Sequence, residues 1–404
     1  MNREKVFIIT SIVLGSVILS SALISFNLYF KDDSEGSLSY DLPNYIHINN
    51  NWSQTASYYA WCKGGSGTVN NPYIIENIVV ESDNEIACIF IENSNRHFII
   101  RNCKFRNSNS IGIYLSHITN GKLIDNECSF NREYGIYLDH CNNIEVSGNT
   151  MKSNFGAGLY LHVSDYNTIV NNNINYNRDG IALILSSNNF IQENMVNNND
   201  NDALGFWLES SNNRIENNSF SYNGRGVYTE EGGIYNIFIG NNASSNKREG
   251  FDIDDQYNIV SQNIANFNGW YGISISFGDN CSIINNTANS NGIHGIKISY
   301  SNLNEVNYNR VLFNNNSGIC LRGADNCLVE ENVVEYNGNN GILLIKAEYN
   351  RLIRNHIKNN TYGVKLEDES SNNEIVENLL INNEICYFEE ITCFDNIFIS
   401  NVCL

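Results

Sequence analysis

The stretch GIYLDHCNNIEVSGNTMKSN, from Gly135 to Asn154, is nearly repeated one step earlier as GIYLSHITNGKLIDNECSFN, from Gly112 to Asn131. The glycine that begins each copy returns about every 23 residues, a spacing in the range of solenoid repeats. The series consists of Gly112, Gly135, Gly158, Gly180, Gly205, Gly226, Gly250, Gly272, Gly295, Gly318, Gly341 and Gly363.

The residues that follow each glycine alternate in character. Ile136 and Leu138 are apolar, whereas Tyr137 and Asp139 occupy positions that vary between copies. This alternation is typical of a short strand with one buried face. A unit of this size cannot bury that face alone, so the coils must stack at about 4.8 Å. The pattern predicts an all-β parallel β-helix, and the share of Ile and Val in the rows argues against a leucine-rich repeat.

Two series of asparagines keep the same period. They are five residues apart, as in Asn149 and Asn154, and run from Asn126 to Asn378 and from 131 to 383. Asparagine tolerates the left-handed backbone conformation, and stacked amides can bond to one another as a ladder. Each coil is therefore predicted to contain two or three short strands joined by asparagine turns.

The N-terminal residues 1–30 differ from the repeats. The segment Val6–Phe30 has no charged residue and is long enough to cross a bilayer. Arg3 and Lys5 precede it and Asp32 follows it, so the positive-inside rule predicts that the remaining chain lies outside the cell. We expect a transmembrane signal anchor; the alternative is a cleaved signal peptide, and both export the rest of the chain.

The remaining chain divides into three parts. Residues 31–76 are expected to form a linker and an N-terminal cap, residues 77–385 the β-helix, and residues 386–404 a C-terminal cap. Caps are needed because the end of a solenoid exposes apolar rows and an unpaired strand edge. Cys386, Cys393 and Cys403 are close enough in sequence to allow a disulfide near that end.

The glycine-led coils and the stretch GGSGTVNNPYIIEN, residues 64–77, resemble the NosD-like right-handed parallel β-helix repeat proteins of the pectate-lyase-like superfamily. The resemblance covers roughly residue 52 to the C-terminus and implies a right-handed helix. Members of that superfamily include polysaccharide lyases, polygalacturonases, C5-epimerases and carbohydrate-binding surface proteins, and the NosD name implies metal handling. The fold alone does not select among these roles.

The formal net charge of −20 limits the partners. Nucleic acid is not expected as a partner, because its binding depends on neutralising phosphates with Lys and Arg. The same charge disfavours tight binding of a polyanion unless a cation bridges the two.

Aromatic side chains recur at the second position after the glycines. Flat rings in such a stripe can stack on sugars, although tyrosine is also a common strand residue on a half-exposed surface. Trp207 and Tyr228 are expected on adjacent strands about 5 Å apart. The predicted carbohydrate-binding residues are Tyr114, Tyr137, Tyr160, Trp207 and Tyr228.

Acidic residues gather at the fourth and fifth positions of three neighbouring coils. Such a cluster can hold Ca²⁺, or supply the paired carboxylates of a glycan-processing enzyme, or simply be a solvated acidic face. Thr229, the one polar residue in an apolar row, marks the same region. The cluster consists of Glu209, Glu230, Glu231, Asp252, Asp254 and Asp255.

The stretch EGFDIDDQ, residues 249–256, is similar to the Tyr-Gly-Phe-Asp-Pro-His motif of mannuronan C5-epimerases. It keeps Gly250, Phe251 and Asp252, but Glu249 stands in place of the tyrosine and Asp254 in place of the histidine. The resemblance therefore implies epimerase chemistry without two of the groups that this chemistry requires.

His117, His140 and His162 lie on three successive coils near Asp139, and imidazoles so placed could bind a transition metal. His162 is one position earlier in its coil than the other two. Exposed polar residues at a strand end are the alternative explanation.

These observations lead to three hypotheses about function. The first is a membrane-anchored extracellular β-helix that binds a polysaccharide or glycan, or mediates another cell-surface interaction. The second is a polysaccharide lyase or C5-epimerase-like enzyme, and the third is a NosD-like metal-handling protein. No cofactor is required by the first hypothesis, although Ca²⁺ could take part.

Overall fold

A computed structural model describes residues 44–83, 86–230 and 232–404. The described chain is an all-β parallel solenoid of about 14 coils of about 23 residues. Most coils contribute one strand to each of three sheets, called A, B and C in the order in which the chain passes through them, and four middle coils contribute only a bridge to sheet C. This confirms the parallel β-helix expected from the repeat.

Sheet A contains the strands that follow the repeat glycines and has 15 strands. They are Ile46–Asn49, Ala87–Ser94, Ile111–Ile118, Ile136–Asp139, Ala157–His162, Asp179–Ile184, Asp202–Trp207, Arg225–Glu230, Phe251–Ile253, Ile273–Ser276, Ile296–Ser299, Ile319–Arg322, Asn340–Ile345, Tyr362–Glu367 and Ile385–Glu389.

Sheet B follows in each coil and has 16 strands, of which the first pair is antiparallel and the others are parallel. They are Cys62–Lys63, Tyr73–Glu76, Phe98–Arg101, Gly121–Ile124, Glu145–Ser147, Thr168–Val170, Phe190–Gln192, Arg214–Glu216, Ile237–Ile239, Ile259–Ser261, Ser282–Ile284, Glu305–Asn307, Leu328–Glu330, Arg351–Ile353, Glu374–Val376 and Ile397–Ile399.

Sheet C is divided into a six-stranded and a five-stranded part, joined by isolated bridges from Met195 to Arg310. In the four coils whose inward residues are Phe220, Ala243, Ala265 and Ala288, the strand is reduced to a single bridge. The strands are Val79–Glu81, Lys104–Arg106, Glu127–Ser129, Thr150–Lys152, Asn173–Asn175, Met195–Asn197, Arg310–Leu312, Val333–Glu335, His356–Lys358, Leu379–Ile381 and Val402–Cys403.

The core is a set of continuous apolar rows along the solenoid. Ile136, for example, pairs with Ile113 on one side and with Leu159 on the other, and all three are fully buried. The repeat glycine is needed because the next coil leaves no room. A Cβ on Gly135 would lie 2.6 Å from the carbonyl oxygen of Gly158 and 2.9 Å from the amide nitrogen of Asn154.

The asparagines form buried ladders between coils. The amide nitrogen of Asn149 donates to the carbonyl of Leu123 at 2.8 Å and to Oδ1 of Asn172 at 3.1 Å. Its own Oδ1 accepts from the backbone and side-chain nitrogens of Asn126 at 2.9 and 3.0 Å. Both polar atoms of the fully buried Asn149 side chain are thereby paired, which offsets the cost of burying them.

The expectation that these asparagines occupy the left-handed conformation is wrong. The residue before each ladder asparagine takes that conformation, as Asp125 does before Asn126 and Tyr176 does before Asn177. This arrangement turns the chain and directs the following amide into the core. The asparagine is selected for its inward hydrogen bonds rather than for its backbone.

A third ladder, missed in the sequence, lies between sheets A and B. It contains Asn167, Asn189, Asn213, Asn236 and Asn258, and it continues after Cys281 and Cys327 interrupt it. Its period was obscured by these cysteines, whose small side chains occupy the same buried position.

The two ends of the solenoid differ. Helix Trp52–Tyr58 packs at the N-terminal end, where Trp52 is buried and stacks on Tyr73 and Phe98. The segment 386–404, expected to form a cap, adds strands to all three sheets as a last coil. A disulfide between Cys386 and Cys403 closes that coil.

The predicted transmembrane segment Val6–Phe30 lies outside the described residues. No helix among the residues that the structure describes is long and apolar enough to span a membrane. Membrane anchoring therefore stays a prediction.

The ladders yield a test with adjacent asparagines. Asn241 is fully buried, and its side chain accepts from Asn218 and donates to Ile215 and Asn263. Asn241→Ala leaves these partners unpaired and should cost about 2–5 kcal/mol of unfolding free energy, measured by urea denaturation. The control, Asn242→Ala, alters an exposed neighbour and should cost less than about 0.5 kcal/mol. Equal losses for the two variants would contradict the ladder's role.

Candidate functional site

The outer face of sheet A carries most of the residues singled out in the sequence. One outward row reads Tyr114, Tyr137, Tyr160, Ala182, Gly205, Tyr228 and Asp252 along successive coils. Trp207 is not in this row, contrary to expectation. Ala203 takes the repeat glycine's position in that coil, since it is followed by Leu204, which pairs with Ile181. Gly205 is therefore an outward residue, and Trp207 pairs with Ile184 and Glu230.

The tyrosines at the start of this row stack on one another. The rings of Tyr114 and Tyr137 are parallel, with centroids 4.8 Å apart, and Phe90 continues the stack at 4.6 Å. Their faces are occupied by neighbouring rings, so they are poorly placed to stack on a ligand. Tyr160 lies across the end of the stack, at 79° to Tyr137, and stacks on Tyr134.

A cleft of about 470 Å³ lies where the row loses its large side chains. Ala182 and Gly205 leave a gap between Tyr160 and Tyr228, and the Trp207 indole folds back into it. The ring lies so close over Gly205 that a Cβ there would be 2.1 Å from the indole carbon Cη2. The cleft thus has Tyr160 at one end and Trp207 across it, and no other aromatic ring of the described residues packs on the indole.

The residue that precedes each repeat glycine forms a second, charged row beside the first. It contains Asp179, Asp202, Arg225 and Glu249 on successive coils. Arg225 donates to both carboxylate oxygens of Asp202, at 2.7 and 3.1 Å, and to Asp252 at 3.3 Å. Its guanidinium also lies 3.4 Å above the ring of Tyr228, so that ring face is covered.

The acidic residues predicted as one cluster separate into different environments. Asp255 turns inward between Gly233 and Gly278 and accepts a hydrogen bond from the backbone of Gly232 at 2.6 Å. Glu230 lines the cleft with Trp207, and Glu209 is exposed at the adjoining corner. Glu231 lies outside the described residues.

Thr229 has a structural explanation. It is fully buried, and its hydroxyl accepts the backbone N–H of Asp254 at 3.1 Å. The strand Phe251–Ile253 ends at this point, so that N–H lacks a partner within the sheet. The polar residue in the apolar row thus satisfies a backbone donor.

Burial changes the ionisation of two carboxyls in this region. Desolvation, reinforced by the charge of Asp252, raises the pKa of Glu249 to about 7. Desolvation and the charges of Asp252 and Asp255 raise the pKa of Asp254 to about 7 as well. Groups that titrate near neutral pH are suited to proton transfer, and they also occur in purely structural networks.

The three predicted histidines surround Asp139. Nδ1 of His140 and Nδ1 of His162 each lie 2.9 Å from Oδ1 of Asp139. The ring of His117 is parallel to that of His140, with centroids 4.7 Å apart, and its Nδ1 is bonded to Ser116. The one-residue offset of His162 is what brings it to Asp139, because the two residues pair directly across the strands.

Within the described ranges, one set of three His, Cys, Asp or Glu residues has ligand atoms all within 4.8 Å of one another: His117, Asp139 and His140. Although burial opposes it, hydrogen bonds from His162 and His140 lower the pKa of Asp139, which favours the carboxylate form. Two imidazoles and a carboxylate are ligands that copper and zinc accept. Calcium binding by the acidic residues stays a prediction.

Several residues in this cleft or beside it were missed in the sequence, notably Arg225, Arg178 and Tyr134. For Arg225 the signal was present: Asp179, Asp202, Arg225 and Glu249 all stand directly before the residue at the repeat-glycine position. Charged residues at that position in four successive coils interrupt the otherwise neutral series, as His294 does later.

The fold was compared with solved structures. The A-module of mannuronan C-5 epimerase AlgE4 from Azotobacter vinelandii matches with a TM-score of 0.50 and 15% identity, covering 75% of this chain and 90% of that one. The AlgE6 A-module from the same organism gives 0.47 and 15%, with coverage of 78% and 90%. Tailspike protein 3 of Bacteriophage CBA120 gives 0.47 and 9%, with coverage of 82% and 52%. These identities establish similarity of fold alone.

Among curated protein sequences, none is significantly similar to the chain. The profile of one family, described as periplasmic copper-binding protein (NosD), matches residues 112–248 and 236–402. These two matches cover most of the coils of the solenoid. The chain therefore belongs to the NosD family of parallel β-helix proteins.

Proposed function

We propose that this chain is a membrane-anchored extracellular β-helix protein that binds a glycan in the cleft between Tyr160 and Trp207. The observation that carries the proposal is the gap at Ala182 and Gly205, which Trp207 enters from the neighbouring row. The indole of Trp207 offers the flat apolar surface on which sugar rings stack.

Polar groups for sugar hydroxyls line the same cleft. Arg178 and Asp179 lie on one side and Glu230 beside Trp207 on the other. Burial raises the pKa of Tyr160 to about 12, so its phenol stays neutral and can both donate and accept. An apolar platform with a few directed polar groups is the usual composition of a small-molecule site.

The glycan proposal is tested by binding to oligosaccharides. The full-length chain, kept in a detergent without a sugar headgroup, is screened on a glycan array and titrated with the best ligand by calorimetry. Trp207→Ala should weaken binding at least tenfold, which corresponds to about 1.4 kcal/mol. Ala182→Tyr should abolish binding, because it restores the tyrosine row and fills the cleft while keeping a good strand residue.

The control is Tyr336→Ala, which removes an exposed aromatic ring outside sheet A and should leave affinity unchanged. Binding that survives both cleft variants would place the site elsewhere, and a chain that binds no glycan would refute the proposal. Products are analysed in the same samples. New unsaturated ends or altered uronate composition would favour the polysaccharide lyase or C5-epimerase alternative, for which Glu249 and Asp254 are the candidate proton-transfer groups.

The proposed membrane anchoring and extracellular location of the solenoid rest on the sequence of residues 1–30. A spanning helix should make the full-length chain sediment with membranes and resist extraction by high salt, because it is held by apolar contact with lipid. Protease added to intact cells should reach the solenoid. Recovery of a soluble chain that lacks residues 1–30 would show instead that the segment is a cleaved signal.

Metal binding is a second candidate function, favoured by the convergence of His117, Asp139 and His140. The description of the NosD family as copper-binding agrees with this ligand set, and imidazole nitrogen with carboxylate oxygen suits Cu²⁺. His162 would not bind the metal itself but would orient Asp139 through the oxygen that it already contacts.

Metal binding is tested by titrating the full-length chain with Cu²⁺ and with Zn²⁺, followed by calorimetry and, for Cu²⁺, by electron paramagnetic resonance. His140→Ala and Asp139→Asn should each weaken binding at least tenfold and reduce the nitrogen coupling in the Cu²⁺ spectrum. The control is His356→Ala, since His356 contacts a single carboxylate, Glu335, at 3.1 Å. Unchanged affinity in the first two variants would refute this site.

A further inference from the structure

A second cleft of about 470 Å³ adjoins the first and shares Trp207, Arg178 and Asp179 with it. It lies over the turns that lead from sheet C into sheet A. Because the two clefts share the Trp207 wall, a chain of sugars that stacks on the indole would extend from one into the other.

The second cleft arises in the same way as the first, from small residues in a stacked row. Backbone hydrogen bonds link Arg178, Asn201, Gly224 and Arg248 on successive coils. The short Asn201 and the absent side chain of Gly224 leave a depression with an arginine at each end. Three coil steps separate these arginines, or about 14 Å along the axis.

The second cleft gathers an unusual number of cations for an acidic protein, although Asp179, Asp200 and Asp202 line it as well, so the cations exceed the carboxylates by one. Of the 24 Lys and Arg residues in the chain, four line this one cleft: Arg178, Arg225, Lys247 and Arg248. Arg225 is already committed to Asp202 and Asp252, so its charge is locally balanced. The charges of Arg178, Lys247 and Arg248 are less completely balanced by carboxylates. These three residues therefore determine the charge of the ligand that the cleft can attract.

Arg178 has a side chain that is 68% exposed, and its nearest carboxylate oxygen, on Asp179, is 3.8 Å away. Arg248 lies over the ring of Trp270, and its Nε is buried without a hydrogen bond, 3.5 Å from Glu249. Lys247 is exposed at the rim. Because that Nε is buried, a ligand oxygen would bind the rest of the guanidinium; the Arg248 side chain is 43% exposed, and hydrogen bonds from a guanidinium to an anion are strong.

We propose that the second cleft binds an anionic substituent, a carboxylate or a sulfate, of the glycan whose ring stacks on Trp207. Arg248 and Lys247 hold the anion, and Arg178 closes the cleft from the other end. The inference rests on the proposed function, and it names acidic polysaccharides as the ligand class. The net charge of −20 argues against such a ligand for the surface as a whole, but these local cations oppose that charge where the ligand would bind.

The test compares matched ligands on the full-length chain in a detergent without a sugar headgroup. The probes are an oligo-uronate, its carboxyl-reduced neutral counterpart and that neutral oligosaccharide after sulfation. The unmodified chain should bind the uronate or the sulfated form at least tenfold more tightly than the neutral form. Whichever anionic form is preferred identifies the substituent.

The double variant Lys247→Gln/Arg248→Gln should reduce this preference to less than threefold while leaving affinity for the neutral form unchanged. Arg310→Gln, which removes an exposed arginine of sheet C, is the control and should keep the preference. Trp207→Ala should weaken binding of all forms. A parent chain that binds neutral and anionic forms equally, or a double variant that retains the preference, overturns this inference alone; failure to bind any form overturns the proposed function with it.

Discussion

The interaction on which the structure depends is the hydrogen bond from one buried asparagine amide to the next. Most amides in a ladder donate to the Oδ1 of the neighbour in the following coil and to a carbonyl of the coil before, so three successive coils meet at these side chains. A buried asparagine is tolerated in such a position only when both neighbouring coils are present, because leaving its amide unpaired lowers the free energy of unfolding. The ladder therefore enforces the register of the coils, and the apolar rows supply most of the burial energy within that register.

Fixed register has a direct consequence for function. Outward side chains do not contribute to the core, yet each is held about 4.8 Å from its equivalent on the next coil. A binding surface can then be produced by substitution in an outward row without disturbing the fold. Both clefts arise in this way: Ala182 and Gly205 interrupt a row of tyrosines, and Asn201 and Gly224 interrupt a row with arginines at its ends.

The sequence was sufficient to predict the fold because the glycine, the apolar pair and the asparagines repeat in every coil. It failed where one coil replaces the glycine by another small residue. Ala203 fills the repeat position, Gly205 imitates it two residues later, and Trp207 was consequently assigned to the wrong row. The histidines were placed correctly near Asp139, but the significance of the offset of His162 depends on strand pairing. The contacts of Arg225 with Asp202, Asp252 and Tyr228 could not be predicted from the sequence, because they depend on the conformation of a long side chain.

The two candidate functions share one row of sheet A. Along successive coils this row reads Asp139, His162, Ile184, Trp207 and Glu230, so that Asp139 and Trp207 are three coils apart, or about 14 Å. Strand Ala157–His162 contributes to both, with Tyr160 at the end of the cleft and His162 against Asp139. A metal ion bound to Asp139 would compete with His162 for that carboxylate. His162 lies on the same strand as Tyr160, which lines the end of the cleft. If both proposals hold, this shared strand would couple glycan binding to metal binding, and occupancy of one site would have to be controlled when affinity at the other is measured.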